Sequence, residues 1–199
     1  METIRGKTSL DLDFNGFTER LADYNRIMLD LGTGDGRYVH FLANKFHDRF
    51  VIGVDSCREN LHTPSRTKLR NVLFVIASAQ NLPQELNGLA SHVTINFPWG
   101  SLLESLLDGD ISLMQSLASI SKSAASIDIR LNSGALNEVG ASLNAGTQKI
   151  YSNMLQVGWK MNDPVTMNTA ALRAFPSTWA KRLAFGRDPR AVSMSGFVK

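Results

Sequence analysis

Two carboxylates, a glycine turn and two tryptophans are the residues of this chain whose types and spacing can do chemistry. Asp30 lies in an apolar run, Ile27-Met28-Leu29-Asp30-Leu31, that leads into Gly32, Gly34 and Gly36 at alternate positions. Glycines there let the backbone approach a ligand closely and adopt positive φ, and a following helix N-terminus offers free N–H groups. A second apolar run, Phe50-Val51-Ile52-Gly53-Val54, ends in Asp55. That acid follows the turn by about 20 residues, the spacing at which a carboxylate meets ribose hydroxyls in a βαβ nucleotide fold. A glycine cluster alone is more often a tight turn, but strand, turn, helix and second acid occur here in order, so a cofactor is the expected occupant. Asp30 precedes the glycines and the third glycine of a pyrophosphate site is missing. A nucleoside with a cationic amino-acid tail therefore fits better than a dinucleotide.

Trp99 stands in Asn96-Phe97-Pro98-Trp99-Gly100, at the end of a strand-like run, and Trp179 in a long connection from Asn168 to Arg190. Proline, the aromatic and glycine leave little room to tuck the Trp99 indole away, yet a tryptophan is more often a packing residue, and both readings stand. Two loop tryptophans flanked by cations are what a flipped base requires, since stacking is worth about 1–3 kcal/mol per base. Basic residues gather twice. Arg58, Arg66, Lys68 and Arg70 face only Glu59, and Arg173, Lys181, Arg182, Arg187 and Arg190 face only Asp188. They form either one phosphate-binding patch or two ordinary solvated faces. The net charge of +3 does not decide between them.

The elements that must position these residues read as one α/β domain over residues 1–199, 43% hydrophobic. Strands are expected at 27–31, 50–54, 72–77, 92–97 and 124–131, with helices at 37–46, from 101, at 110–120 and at 149–157. Residues 1–17 read as a hairpin around Gly6-Lys7-Thr8, and 18–25 as a short helix capped by Thr18, together covering a sheet edge. The polar loop Ser78–Pro83 falls at the carboxyl end of the third strand, which makes Ala79 and Gln80 candidates to meet the nucleoside base. Residues 132–148, rich in Asn, Ser, Gly and Ala, read as a mobile linker or a weakly held helix. Residues 159–167, interrupted by Pro164, and 191–198 are the last strands. The 168–190 connection between them is long enough to be functional or disordered, and a tryptophan among cations is unusual for disorder.

No apolar run approaches membrane-spanning length and no signal pattern opens the chain, so a soluble, cytoplasmic protein without membrane contact is expected. One cysteine, Cys57, excludes an internal disulfide and reads as structural. The four histidines have no paired ligand spacing, so no metal site is expected.

The D-x-G-x-G form at Asp30–Gly34 resembles the first motif of S-adenosylmethionine-dependent methyltransferases. That implies a Rossmann-like class I fold: a seven-stranded, mostly parallel sheet, here with an N-terminal hairpin extension, 159–167 and 191–198 forming its edge hairpin. More specifically, Asn96-Phe97-Pro98-Trp99-Gly100-Ser101-Leu102-Leu103 and the run from Trp179 to Arg187 closely resemble the bacterial 16S ribosomal RNA adenine-N1 methyltransferases that confer aminoglycoside resistance. Asp30–Gly36, Asn71–Ala79 and Leu82-Pro83 resemble them too, so the likeness spans most of the chain.

The resemblance implies methyl transfer from S-adenosylmethionine to N1 of adenine 1408 in helix 44 of 16S rRNA, by a monomer acting on the assembled 30S subunit. Trp99 and Trp179 would sandwich the base, with Pro98 beside them in the catalytic group. Asp30, Gly32 and Gly34 would hold the methionine end of the cofactor and Asp55 its ribose, with Ser56, Ala79, Gln80 and Asn96 completing the cofactor set. Arg66, Lys68, Arg70, Lys181, Arg182, Arg187 and Arg190 would bind RNA. N1 carries an in-plane lone pair, so alignment and desolvation matter more than a base, and no Asn-Pro-Pro-Tyr motif is present. The chain departs from the family at Gln80, where an acid is expected, and at Asp188-Pro189, where further basic residues are. A transfer-RNA guanine-N7 methyltransferase, which places Phe-Pro-Asp-Pro-Trp after the fourth strand, is the nearest alternative. An inactive ribosome-binding module and a small-molecule methyltransferase are the others.

Overall fold

Apolar runs become strands and amphipathic stretches become helices in the computed structural model, which describes residues 1–186 and 188–198. The chain begins with β1 (Glu2–Arg5), β2 (Thr8–Asp11) and α1 (Phe14–Leu21), followed by β3 (Arg26–Leu31), α2 (Arg37–Lys45) and β4 (Arg49–Asp55). Next come α3 (Arg58–Leu61), β5 (Val72–Ile76), β6 (Ala90–Asn96), α4 (Gly100–Asp108), α5 (Ile111–Ile120) and β7 (Ser121–Asn132). The remainder is α6 (Ser133–Glu138), α7 (Leu143–Gln156), β8 (Trp159–Met161), β9 (Val165–Met167), α8 (Thr169–Ala174), α9 (Thr178–Phe185) and β10 (Ala191–Val198).

One sheet carries the fold, in the order β2-β1-β5-β4-β3-β6-β7-β10-β8, with β9 also pairing β10. The β5-β4-β3-β6-β7 centre is parallel, and β1 and β10 flank it antiparallel. Chain order reverses between β3 and β6, and the crevice outside the carboxyl ends of strands at such a point is where ligands bind. Alternation along the strands separates two cores. Ile27, Leu29 and Leu31 of β3 join Phe50 and Ile52 under α1, α4, α5 and α7. Met28 and Val51 point the other way, to Tyr38, Val39, Leu42 and Ala43 of α2. A third, small cluster of Phe97, Leu172, Ala180, Ala184 and Ala191 seats α8 and α9.

Several sequence expectations need correction. The N-terminal hairpin forms and lies on the β5 edge, but the helix after it is capped by Asp13, whose carboxylate accepts from the Gly16 N–H, not by Thr18. Thr18 instead turns its hydroxyl back to the Phe14 carbonyl. Residues 132–148 take the helical alternative and are not a mobile linker. Asn132 and Ser142 cap α6 and α7, Ala135 and Leu136 are buried in the main core, and Thr147 is buried on α7. The polar composition belongs to the outer faces. The 168–190 connection is likewise helical through α8 and α9, capped by Asn168 and Ser177. The seven-strand expectation is extended by the hairpin and by the break of the penultimate strand into β8 and β9.

Candidate functional site

The glycine turn closes on the protein itself. Gly32 and Thr33 N–H both donate to the Val54 carbonyl, and Gly34 N–H donates to Asp55 Oδ2 at 2.7 Å. The glycines therefore supply shape more than donors. At Gly34 φ is +56° with open space where a Cβ would stand, and at Gly32 a Cβ would meet Leu102 at 2.8 Å. Asp55 serves as a brace: its Oδ1 accepts from Cys57 N–H at 2.9 Å and from Asn60 Nδ2 at 3.3 Å. Cys57, read as structural, is exposed, and its backbone N–H rather than its thiol ties it to the site.

A cavity of about 470 Å³ opens over this turn, bounded by Asp30, Asp55, Ser56, Ala79, Gln80 and the two tryptophans. Asp30 is buried and accepts from Thr94 Oγ1 at 2.6 Å and Asn96 Nδ2 at 2.9 Å, both on Oδ1. Burial pushes its carboxyl up to about 6, against those hydrogen bonds and the charge of Arg130. Asn96 in turn accepts from Arg130 Nη1 at 2.8 Å, so it relays between Asp30 and an arginine already paired with Asp128. Thr33 Oγ1 is buried and turned to the Asp30 carboxyl, whose charged form it also favours. A desolvated carboxylate and a glycine-lined cradle fit a ligand bearing an ammonium group and a ribose. Gln80 anchors rather than projects: its Nε2 donates to Ser105 Oγ at 2.9 Å and to the Ser101 carbonyl at 3.3 Å, and its Oε1 accepts from Ser78 Oγ.

At the cavity mouth the chain turns sharply. Phe97 adopts φ 52°, uncommon for a non-glycine residue, and is held by burial and by its N–H donating to the Arg130 carbonyl at 2.7 Å. Pro98 and Trp99 are thereby aimed over the cavity, Trp99 as the extended residue just before α4. Trp179, on the first turn of α9 and 42% exposed, meets it with ring centroids 5.2 Å apart and planes inclined by 31°. Arg182 lies over the Trp179 ring at 5.2 Å.

The cations separate into distinct settings. Arg66, Lys68 and Arg70 are exposed at alternate positions of a short ribbon in which Arg66 ends a 3-10 turn (Pro64–Arg66), with Thr67 and Leu69 half-buried between them. Its ends are fixed by Ser65 Oγ, which accepts from Gly6 N–H, and by Asn71 Nδ2, which donates to the Ala43 and Arg49 carbonyls. Lys181 and Arg182 are exposed on α9. Arg190 is paired with Asp188 through two contacts, at 2.7 and 2.8 Å, so the residue that departs from the family pattern neutralises it. Arg187 lies outside the described residues.

Sequence reasoning missed Asp35, Thr178, Tyr38 and Arg130. Thr178 Oγ1 donates to Asp35 Oδ2, tying the helix that carries Trp179 to the glycine turn. Tyr38 lines the cavity and stacks on Phe175 at 4.9 Å, with Arg130 on the same ring at 4.7 Å. No local pattern marks these contacts, because the partners come from opposite ends of the chain.

The strand order, the turn after β3 and the acid after β4 define a Rossmann-like class I methyltransferase fold. A family model described as 16S rRNA (adenine(1408)-N(1))-methyltransferase matches residues 2–198. The Escherichia coli protein of that description is 32% identical over 216 residues, covering 100% of this chain and 99% of its own. A solved structure described as an antibiotic related methyltransferase superposes with TM-score 0.85 at 32% identity, covering 98% of this chain and 100% of its own. The Catenulisporales acidiphilia 16S rRNA (adenine(1408)-N(1))-methyltransferase, solved as a mutant with cosubstrate SAM, shares the fold at TM-score 0.87 and 22% identity, covering 100% and 96%. The chain belongs to the 16S rRNA (adenine(1408)-N(1))-methyltransferase family.

Proposed function

We propose that this protein transfers a methyl group from S-adenosylmethionine to N1 of adenine 1408, in helix 44 of 16S rRNA within the 30S subunit, and so confers aminoglycoside resistance. It acts as a monomer in the cytoplasm, through one methyltransferase domain. The observation that carries this reading is the Trp99–Trp179 pair standing over the same cavity as Asp30 and the glycine turn. Neither the guanine-N7 nor the inactive alternative has support from the relatives.

Bound S-adenosylmethionine supplies an electrophilic methyl on sulfur. Asp30 would meet its ammonium group, and Gly32 and Gly34 would leave room for the methionine end. Asp55 would accept from ribose hydroxyls with lone pairs left after bracing the turn, while Ser56, Ala79, Gln80 and Asn96 would complete the cofactor wall. Trp99 and Trp179 stack on the two faces of the flipped adenine, and Pro98 fixes the approach of Trp99. Held between the rings and stripped of water, N1 would present its lone pair to the methyl, the electron pair of the broken sulfur–carbon bond staying on the departing thioether, so positioning would lower the barrier without a general base. Arg66, Lys68 and Arg70, with Lys181 and Arg182, bind phosphates of the folded RNA, and Arg187 is assigned with them from sequence. Arg190, paired with Asp188, is the weakest of these contacts.

Primer extension on 30S subunits incubated with the protein and S-adenosylmethionine is expected to stop at adenine 1408. Subunits that accept no methyl group there, from a protein that binds the cofactor, would overturn the assignment.

A further inference from the structure

At the opposite ends of the same strands lies a second concavity, of about 530 Å³. The cofactor cavity is bounded by residues that follow the carboxyl ends of β3, β4 and β6. This one is bounded by residues at their starts, Arg26 on β3, Arg49 on β4 and His92 on β6, together with Lys45 at the end of α2. Along β3, Arg26 of this concavity and Asp30 of the cofactor cavity lie about 13 Å apart, at 3.3 Å per residue, and Tyr38 stands in the wall between the two.

The lining is built for an anion. Arg26, Lys45 and Arg49 converge on it, no Asp or Glu is among its lining residues, and none of the three cations makes an ion pair among the described residues. Three like charges around one concavity repel each other, and a bound anion relieves that repulsion. Arg49 is held from behind, its guanidinium 4.0 Å from the Phe46 ring centroid and its Nη1 4.0 Å from Met28 Sδ, and its Nε is buried without a partner. Lys45 stands 5.6 and 5.1 Å from the Phe41 and Phe46 rings. Asp128, 3.8 Å from His92 Nε2, is already paired with Arg130 at 3.1 Å, so it does not neutralise the three. His92 Nδ1 shares a hydrogen bond with Ser126 Oγ at 2.7 Å, a polar floor against the cationic wall. Phe41 adds a ring face that is 40% exposed, where a flat base can stack.

We propose that this concavity is a second ligand site, taking a phosphorylated nucleoside unit with its phosphate on Arg49 and Lys45 and its base on Phe41. The unit comes either from a free nucleotide or from a single-stranded stretch of RNA. Neither the cofactor nor the target adenine uses these residues.

The test is calorimetric titration of the whole protein with the cofactor site saturated by S-adenosylhomocysteine. The probes are uridine 5′-monophosphate, uridine, and a short single-stranded oligouridylate. Uridine 5′-monophosphate is expected to bind, uridine at least about tenfold more weakly, and Lys45→Gln and Arg26→Gln each to weaken the nucleotide about tenfold. Both of these positions are exposed, whereas Arg49 is half-buried, so these variants keep the fold, and their S-adenosylmethionine affinity is expected to stay at the parent value. Oligouridylate binding more tightly than the mononucleotide identifies RNA as the source, and equal affinity identifies a free nucleotide. The proposal is overturned if neither phosphorylated probe binds, if S-adenosylhomocysteine displaces them, or if uridine binds as well as its phosphate.

Discussion

Trp99 and Trp179 face each other with ring centroids 5.2 Å apart. Rings that sandwich a base stand about 7 Å apart, two stacking distances of roughly 3.5 Å. The pair is therefore closed on itself and must part by about 2 Å to take an adenine. Each ring keeps an aromatic partner until then, so the site exposes less apolar surface than two separate indoles would.

The two tryptophans differ in setting, and their substitutions should differ accordingly. Trp179→Ala, at an exposed position, is expected to leave the melting temperature nearly unchanged, while Trp99→Ala, which packs against the main core, lowers it somewhat. Both should retain cofactor binding and slow methyl transfer at least about tenfold, the equivalent of losing one stacking face. Phenylalanine should restore part of the rate. A double variant lacking both indoles that still protected cells from kanamycin or apramycin would remove the clamp from the mechanism.

Asp30 imposes a pH dependence. Its carboxyl is raised from 3.8 to about 6 by burial, so between pH 6 and 3.8 the folded protein binds more protons than the unfolded chain. The stability owed to this group is thus fully present below 3.8 and lost as pH rises through about 6, by roughly 3 kcal/mol. Binding a cationic ligand needs the ionised form. Cofactor affinity measured by calorimetry should fall about tenfold per pH unit below 6, and Asp30→Asn should melt higher at pH 7.5 yet bind poorly. An affinity unchanged between pH 7.5 and 5 would refute the pairing.

The ribbon from Arg66 to Arg70 offers a test by salt. Its cations are exposed and unpaired among the described residues, so each released phosphate counterion should appear in the slope of binding against salt. Replacing Lys68 or Arg70 by Gln is expected to flatten the slope for 30S binding by about one unit each, with the melting temperature unchanged. Arg190→Gln should change it less, because Asp188 already neutralises that charge.

Thr178 and Asp35 link the base clamp to the cofactor turn. Thr178→Val and Asp35→Asn are expected to lower methyl transfer by similar amounts, and the double variant by hardly more than either. The interaction term of the cycle should fall at about 0.5–3 kcal/mol. Strictly additive losses would mean that the two residues act independently.

Much of this protein was written locally. The apolar run into Gly32 and Gly34, the placement of Asp55, and the Asn96–Gly100 turn are short-range patterns, and a short-range pattern is what sequence displays. The strands and the parallel centre of the sheet follow from them, because a βαβ crossover has few ways to close. The linker alternative for residues 132–148 has the same origin: their exposed polar face dominates composition, while Ala135 and Leu136 find the core only once the sheet exists. What tertiary structure alone decided is which distant groups meet. Asp30 became a weaker acid because burial excludes water from its carboxyl, against the hydrogen bonds it accepts from Thr94 and Asn96. Gly34 lost its free N–H to Asp55, Arg190 its free charge to Asp188, and Trp99 gained Trp179 as a stacking partner. Hydration, charge and stacking depend on what surrounds a side chain in space, and folding sets those surroundings through contacts that residue spacing does not specify.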